Sequence, residues 1–415
     1  MIVSIILLTL FGWAIVGHGA LIELGGVKAN TATIGVTAAV ELNDCEEMIK
    51  KENHVISIAK WSQDAGKRTG IVTTSRITDA SPSGTYAHTA NRRWQDDTSV
   101  KEAGQNSTKC RDIAYQLIKE KIGKDFNVIL GGGSGMFLPN GTRDDLGSEG
   151  SRSDDIHLIN EWVNDKKAEN KNAQYIWNRT ELLNVSNNTD YILGLFSEGY
   201  MPFNLDRNVS LTPSLEEMTE AAIKIVSKGN GEEDGYFLFI EGGRIDQAHH
   251  LALAHKALDE TVEFSKAIQK AVELTNEEDT LIVVTSDHAH TLSMSGYPDR
   301  YNDIFGTVGD DVDGNMILTL NYANGPGYKA PGHNLRDDDT GNHHNCIFSG
   351  DKDYQFPGIY NLTAETHGAD DVGIFAKGPW SHLFSGVMEQ NVIPHIMAYA
   401  SCVGSGLTAC CKGPE

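Results

Sequence analysis

Asp246 and His250 stand four residues apart, directly after an apolar run at residues 236–240 that ends in Glu241-Gly-Gly-Arg. A helix starting there would put both side chains on one face, where a carboxylate and an imidazole can grip one cation. A second apolar run, residues 281–285, ends in Ser286-Asp287-His288-Ala-His290, and Thr366-His367 lies just before a third, residues 372–375. Taken singly, each cluster reads as readily as solvated polar residues. Together, each at a strand edge, they read as a metal centre. Neutral imidazoles with carboxylates suit zinc, whereas Glu241 with hydroxyl or carboxylate groups suits a harder ion such as magnesium.

Ser81 and Asp79, in Thr78-Asp79-Ala-Ser81-Pro-Ser, are by default a turn serine and an Asx-turn residue. Arg92 and Arg93 follow closely; an arginine beside metals is the natural fork for two phosphate oxygens. Arg244, between two ligand positions, reads as structural. The Gly131-Gly-Gly-Ser-Gly135 run matches neither the dinucleotide nor the P-loop spacing, and the chain holds no GxSxG elbow.

Strands at the ends of which such ligands gather belong to a layered α/β sheet. Apolar patterning predicts strands at residues 55–58, 69–73, 127–130, 236–240, 281–285 and 372–375, alternating with helices. Ser214, with Glu217 three residues on, predicts an N-cap and a helix ending near Gly229. Residues 236–285 read as a parallel strand, helix, strand crossover. Between about 296 and 364 the pattern dissolves into Gly, Asn, Asp and Tyr, a loop-rich insertion.

A chain of 415 residues with 40% hydrophobic content can build one large domain, and no long Pro/Ser linker divides it. Its formal charge of −23 argues against nucleic acid or anionic lipid as a partner. The apolar stretch at residues 2–16, followed by small residues, reads as a signal peptide over 1–20, leaving 21–415 as the folded domain. Seven glycosylation sequons, at Asn106, Asn140, Asn178, Asn184, Asn187, Asn208 and Asn361, fit a secreted or cell-surface glycoprotein. The six cysteines lack metal-type spacing and predict disulfides, although six allow fifteen pairings. Membrane attachment is expected only through a lipid anchor that these residues do not encode.

The segments Gly26-Val-Lys-Ala-Asn30, Asp79-Ala-Ser-Pro-Ser-Gly-Thr-Tyr-Ala-His-Thr-Ala-Asn-Arg92, Glu241-Gly-Gly-Arg-Ile-Asp246, Thr285-Ser-Asp-His288 and Glu365-Thr-His367, in this order, resemble animal-type alkaline phosphatases from about Gly26 to Cys410. The resemblance implies a three-layer α/β/α sandwich, a homodimer, and hydrolysis of phosphate monoesters with two zinc ions and a magnesium. By the same resemblance Asp246, His250 and His367 hold one zinc, Asp287 and His288 the second, and Ser81 with Glu241 the magnesium. Asp79 lies beside magnesium, and Arg92 clasps the substrate phosphate. The implied disulfides join Cys45 to Cys110 and Cys402 to Cys410, leaving Cys346 and Cys411 unassigned.

One departure is large. The family's nucleophilic serine precedes Gly26 at a spacing that lands here on Ile15 and Val16, and an upstream aspartate bridging the second zinc and magnesium is also missing. Catalysis by this chain is therefore expected to be weak, and no catalytic nucleophile is assigned. The alternative is a non-catalytic, zinc-containing secreted or surface glycoprotein that acts as a binding module. A phosphodiesterase or sulfatase is disfavoured by Arg92 and the zinc-type histidines.

Overall fold

A computed structural model describes residues 3–10, 24–228, 234–330, 350–406 and 408–410. Its centre is a sheet whose strands are β1 (Ser4–Leu10), β2 (Arg68–Arg76), β3 (Val128–Gly132), β4 (Ala173–Ile176), β5 (Tyr191–Leu195), β6 (Tyr236–Gly242) and β7 (Thr280–Ser286), with an edge strand Phe375–Lys377. From that edge inward the order is β7, β1, β6, β2, β3, β5, β4. All these neighbours run parallel except the edge strand, which is antiparallel to β7. The carboxyl ends of β2, β1, β6 and β7 therefore open at one rim.

The first strand lies within the stretch that reads as a leader over residues 1–20. Ser4–Leu10 lies between β6 and β7, with Leu7 opposite both Phe239 and Val283. Ile5 and Leu7 pack into the apolar layer on one face of the sheet, Ile6 and Leu8 into the layer on the other. A strand buried on both faces reads as a continuous apolar run, as does the hydrophobic region of a signal peptide. The predicted crossover from β6 to β7 is parallel, but β1 is inserted between the two strands. Residues 55–58 form no strand either; Ser57 caps a helix, Ile58–Asp64, by accepting from the Lys60 amide.

Helices cover both faces, giving the expected three-layer α/β/α sandwich. One layer holds Ile58–Asp64, Ile113–Lys119, Leu158–Ala168 and Ile393–Ser401, whose apolar sides join Ile5, Phe237 and Val283. Labelled helices elsewhere are α1 (Ala80–Gly84), α2 (Leu215–Val226), α3 (Arg244–His250) and α4 (Ala254–Glu273). Helices α2 and α4 form the second layer, through Met218, Ala222, Phe264 and Ala267. The start of α2 carries the predicted capping box of Ser214 and Glu217.

The described residues between 296 and 364 carry more regular structure than their composition predicts. It contains a hairpin of Thr307–Asp310 with Met316–Leu318, and Leu320–Gly325 paired with Leu292–Met294 and Gly358–Asn361. Disulfides join Cys45 to Cys110 and Cys402 to Cys410, while Cys346 and Cys411 lie outside the described residues. Among the described residues no helix is long and apolar enough to cross a membrane.

Candidate metal centre

The site forms where β6 and β7 end. Strand β6 delivers Glu241, the chain turns through Gly242 and Gly243, and α3 begins at Arg244. Glycine is required in that turn: a Cβ on Gly243 would lie 2.8 Å from the Ser75 Cβ and 3.1 Å from the Glu241 carboxyl carbon. Helix α3 then carries Asp246 and His250 on one face, as their spacing predicts. Arg244 is structural, its guanidinium stacked 3.6 Å above the Phe203 ring.

Asp246 Oδ1 lies 3.3 Å from His250 Nε2 and 3.5 Å from His367 Nε2, and the two ring nitrogens are 3.2 Å apart. Donors about 2.0–2.1 Å from a tetrahedral zinc are separated from one another by about 3.3 Å, so these three atoms outline one face of such a site. Neither Asp246 oxygen is in hydrogen-bonding geometry with any described group, although the side chain is fully buried. A buried carboxylate without hydrogen bonds and ringed by imidazole nitrogens is the arrangement a cation completes. Burial opposes the charge on Asp246, but His290 and His367 hold the carboxyl well below the ordinary range.

Asp287 and His288 sit beside this trio. Asp287 Oδ2 is 3.2 Å from His288 Nε2, and the His288 ring stacks on His367 with centroids 3.6 Å apart. Burial, then the His367 charge, pushes His288 down to about 3, and burial lowers His367 as well. Both rings thus offer neutral lone pairs near neutral pH, the form a metal requires.

The hard-oxygen residues occupy the β2 side of the rim. Asp79 caps α1 through the Ala80 amide, accepts from Ser75 Oγ at 2.9 Å and approaches Arg92 Nη2 at 3.5 Å. Ser81 on α1 is buried, and its hydroxyl has no partner among the described residues. Glu241 accepts from Thr73 Oγ1, and burial, with the charges of Asp79 and Asp246, raises its carboxyl well above normal. Crowded buried oxygens of this kind fit a hard divalent cation. Beside Glu241, β1 places Thr9, the residue before its last, which brings a hydroxyl and no carboxylate. Ile15 and Val16 lie outside the described residues.

The structure adds His290 and Glu365, which sequence reasoning did not single out. His290 Nε2 is 2.7 Å from Asp246 Oδ1, and the described residues contain two potential metal groups, His288/His290/His367 and Asp246/His250/His290. The signal for His290 was its two-residue offset from His288, which in extended chain returns a side chain to the same face. Glu365 offered only its place beside Thr366-His367.

This chemistry of paired imidazole and carboxylate donors at the carboxyl rim of an α/β/α sandwich is that of a metal-dependent hydrolase. The alkaline phosphatase family model matches residues 18–403. The chain is 45% identical to a membrane-bound alkaline phosphatase of Bombyx mori over 390 residues, 93% of this chain and 70% of that protein. It is 43% identical to the tissue-nonspecific alkaline phosphatase isozyme of Homo sapiens over 397 residues, 93% of this chain and 72% of that one. The fold matches the alkaline phosphatase of the Antarctic bacterium TAB5 with a TM-score of 0.62 at 20% identity, covering 96% of this chain and 98% of the other. The chain belongs to the alkaline phosphatase family, metal-dependent hydrolases of phosphate monoesters. Its histidine and aspartate clusters support zinc and magnesium as cofactors.

Proposed function

We propose that Asp246, His250 and His367 hold one zinc, Asp287 and His288 the second, and Glu241 with Ser81 a magnesium beside Asp79, with Arg92 as the phosphate clamp. The observation carrying this reading is the near-equilateral set of Asp246, His250 and His367 donor atoms, 3.2 to 3.5 Å apart. Two zinc ions held there would stabilise the attacking and leaving oxygens of a phosphoryl transfer. Asp79 lies beside Arg92, one carboxylate oxygen 3.5 Å from a guanidinium nitrogen, a contact that supports a fixed place for this side chain at the site. Asp79 is itself held by Ser75 and by the first amide of α1.

The finer reading is that turnover by this polypeptide is very low, because Ile15 and Val16 at the family's serine position carry no nucleophilic oxygen. The same two residues favour the alternative of a zinc-containing surface or secreted glycoprotein that binds without catalysis. Two disulfides and the exposed sequon asparagines Asn106, Asn140, Asn184, Asn187, Asn208 and Asn361 support an extracellular location. A homodimer is supported by the exposed apolar side chains of Met294, Tyr297, Tyr301, Ile359 and Tyr360 in and beside the insertion.

Metal analysis of the purified 415-residue chain tests the site: zinc retained through dialysis and lost from Asp246→Asn is the expected result, and zinc-free protein sinks the assignment. Hydrolysis of p-nitrophenyl phosphate tests the finer reading. Turnover typical of a serine phosphatase, abolished by chelator, would show that a nucleophile is present after all.

A further inference from the structure

We propose that Glu365 is a positioning residue that sets the imidazoles around Asp246, so that zinc affinity depends on a side chain that touches no metal. The inference rests on the reading of Asp246, His250 and His367 as a zinc site. Glu365 is fully buried, and both of its carboxylate oxygens are engaged. Oε2 lies 2.7 Å from His290 Nδ1; Oε1 accepts from the Thr291 amide at 2.7 Å and the Thr291 hydroxyl at 2.6 Å. The backbone acts as well. Its carbonyl accepts from His250 Nδ1, and its amide donates to the His250 carbonyl at 2.8 Å.

One residue thereby engages the Nδ1 edges of two rings whose Nε2 atoms approach Asp246. The His290 ring cannot rotate without losing its 2.7 Å contact from Nδ1 to the Glu365 carboxylate. Such outer partners fix ring orientation for a metal-site histidine. The carboxylate is itself held in place. Gly325 approaches so closely, at a φ of +125°, that a Cβ there would lie 2.9 Å from the Glu365 Cβ. Next door, the Asn324 amide donates to Thr366 Oγ1 and accepts from the Thr366 amide, each at 2.9 Å. The strand pair at residues 289–290 and 367–368, with His290 opposite His367, then transmits the anchor to the third ring.

Glu365→Gln separates carboxylate from shape, because Oε1 can still accept from Thr291 while the amide nitrogen faces His290 with a donor. The full chain and the variant are compared by chelator competition for zinc, by the visible spectrum after cobalt loading, and by the melting temperature of the metal-free form. The expected result is a 10- to 100-fold weaker zinc affinity and an altered cobalt spectrum, with metal-free melting near that of the parent. Parental zinc affinity and spectrum in a folded variant overturn the proposal while leaving the zinc assignment intact; failure of the parent itself to bind zinc removes both. If Glu365→Gln does not fold, His290→Gln carries the test. Loss of zinc affinity by the same factor supports the relay, and unchanged affinity overturns it.

Discussion

Two buried carboxylates divide this molecule into a part that is finished by protein alone and a part that is not. Asp112 faces Arg152, which is fully buried, with both guanidinium bonds at 3.0 Å, and it also accepts from the Tyr115 amide at 2.8 Å. Asp246 is buried to the same degree, yet its oxygens sit in no hydrogen-bonding geometry and face three imidazole nitrogens. The first arrangement satisfies its lone pairs from the chain and is structural. The second leaves them converging on a point, so its satisfaction comes from a cation.

The comparison breaks most sharply if an unpartnered charge is tolerated where no ligands converge. Leu7→Asp puts a carboxylate into the centre of β1, which is fully buried, and is expected to cost at least about 4 kcal/mol or to prevent folding. A soluble variant with a parental urea midpoint would show that β1 does not occupy the middle of the sheet. Asp112→Ala should cost about 3 kcal/mol, with or without zinc, because it takes two charge-assisted bonds from the buried Arg152 guanidinium, which keeps Asp154 as its remaining close partner. Asp246→Asn should act chiefly on the metal: zinc affinity is expected to fall more than about 100-fold in a chelator competition, beyond the loss from an outer-sphere change, and a parental affinity would remove Asp246 from the zinc site.

A pH titration sharpens the contrast with a buried group outside the candidate site. His88, stacked on His54 with ring centroids 4.1 Å apart, is pushed by burial, and by the nearby His54, down to about 4. The unfolded chain binds this proton more readily than the folded one, so its contribution is complete above about pH 6.5 and is lost between about 6.5 and 4, about 3 kcal/mol in all. His88→Gln should flatten that part of the stability–pH curve; an unchanged slope would show that His88 does not carry it. Smallest is Ser214→Ala, which removes the α2 cap and should cost about 1 kcal/mol, read as a shift of the urea midpoint without loss of zinc.

Much of the candidate metal centre was legible because its residues follow strand ends and obey local periodicities. Asp246 and His250 needed only the helical repeat, and Asp287 with His288 only the end of an apolar run. His290 and Glu365 were harder to see because their part in the site depends on the pairing of residues 289–290 with 367–368. The N-terminal run was ambiguous for a related reason. Its apolar residues serve two packed layers at once, and nothing within Ser4–Leu10 distinguishes a strand flanked by β6 and β7 from a secretory leader.

The amino-acid order alone determined the α/β alternation, the cap at Ser214, and the delivery of carboxylates and imidazoles to the ends of β6 and β7, since these depend on neighbours within a few residues. Only the tertiary structure decided that β1 separates those strands, that His367 closes on Asp246 from 121 positions away, and that Glu365 contacts two of the rings. Such contacts are chosen by competition among distant surfaces for burial and for hydrogen-bond partners, and no local stretch of chain encodes the outcome.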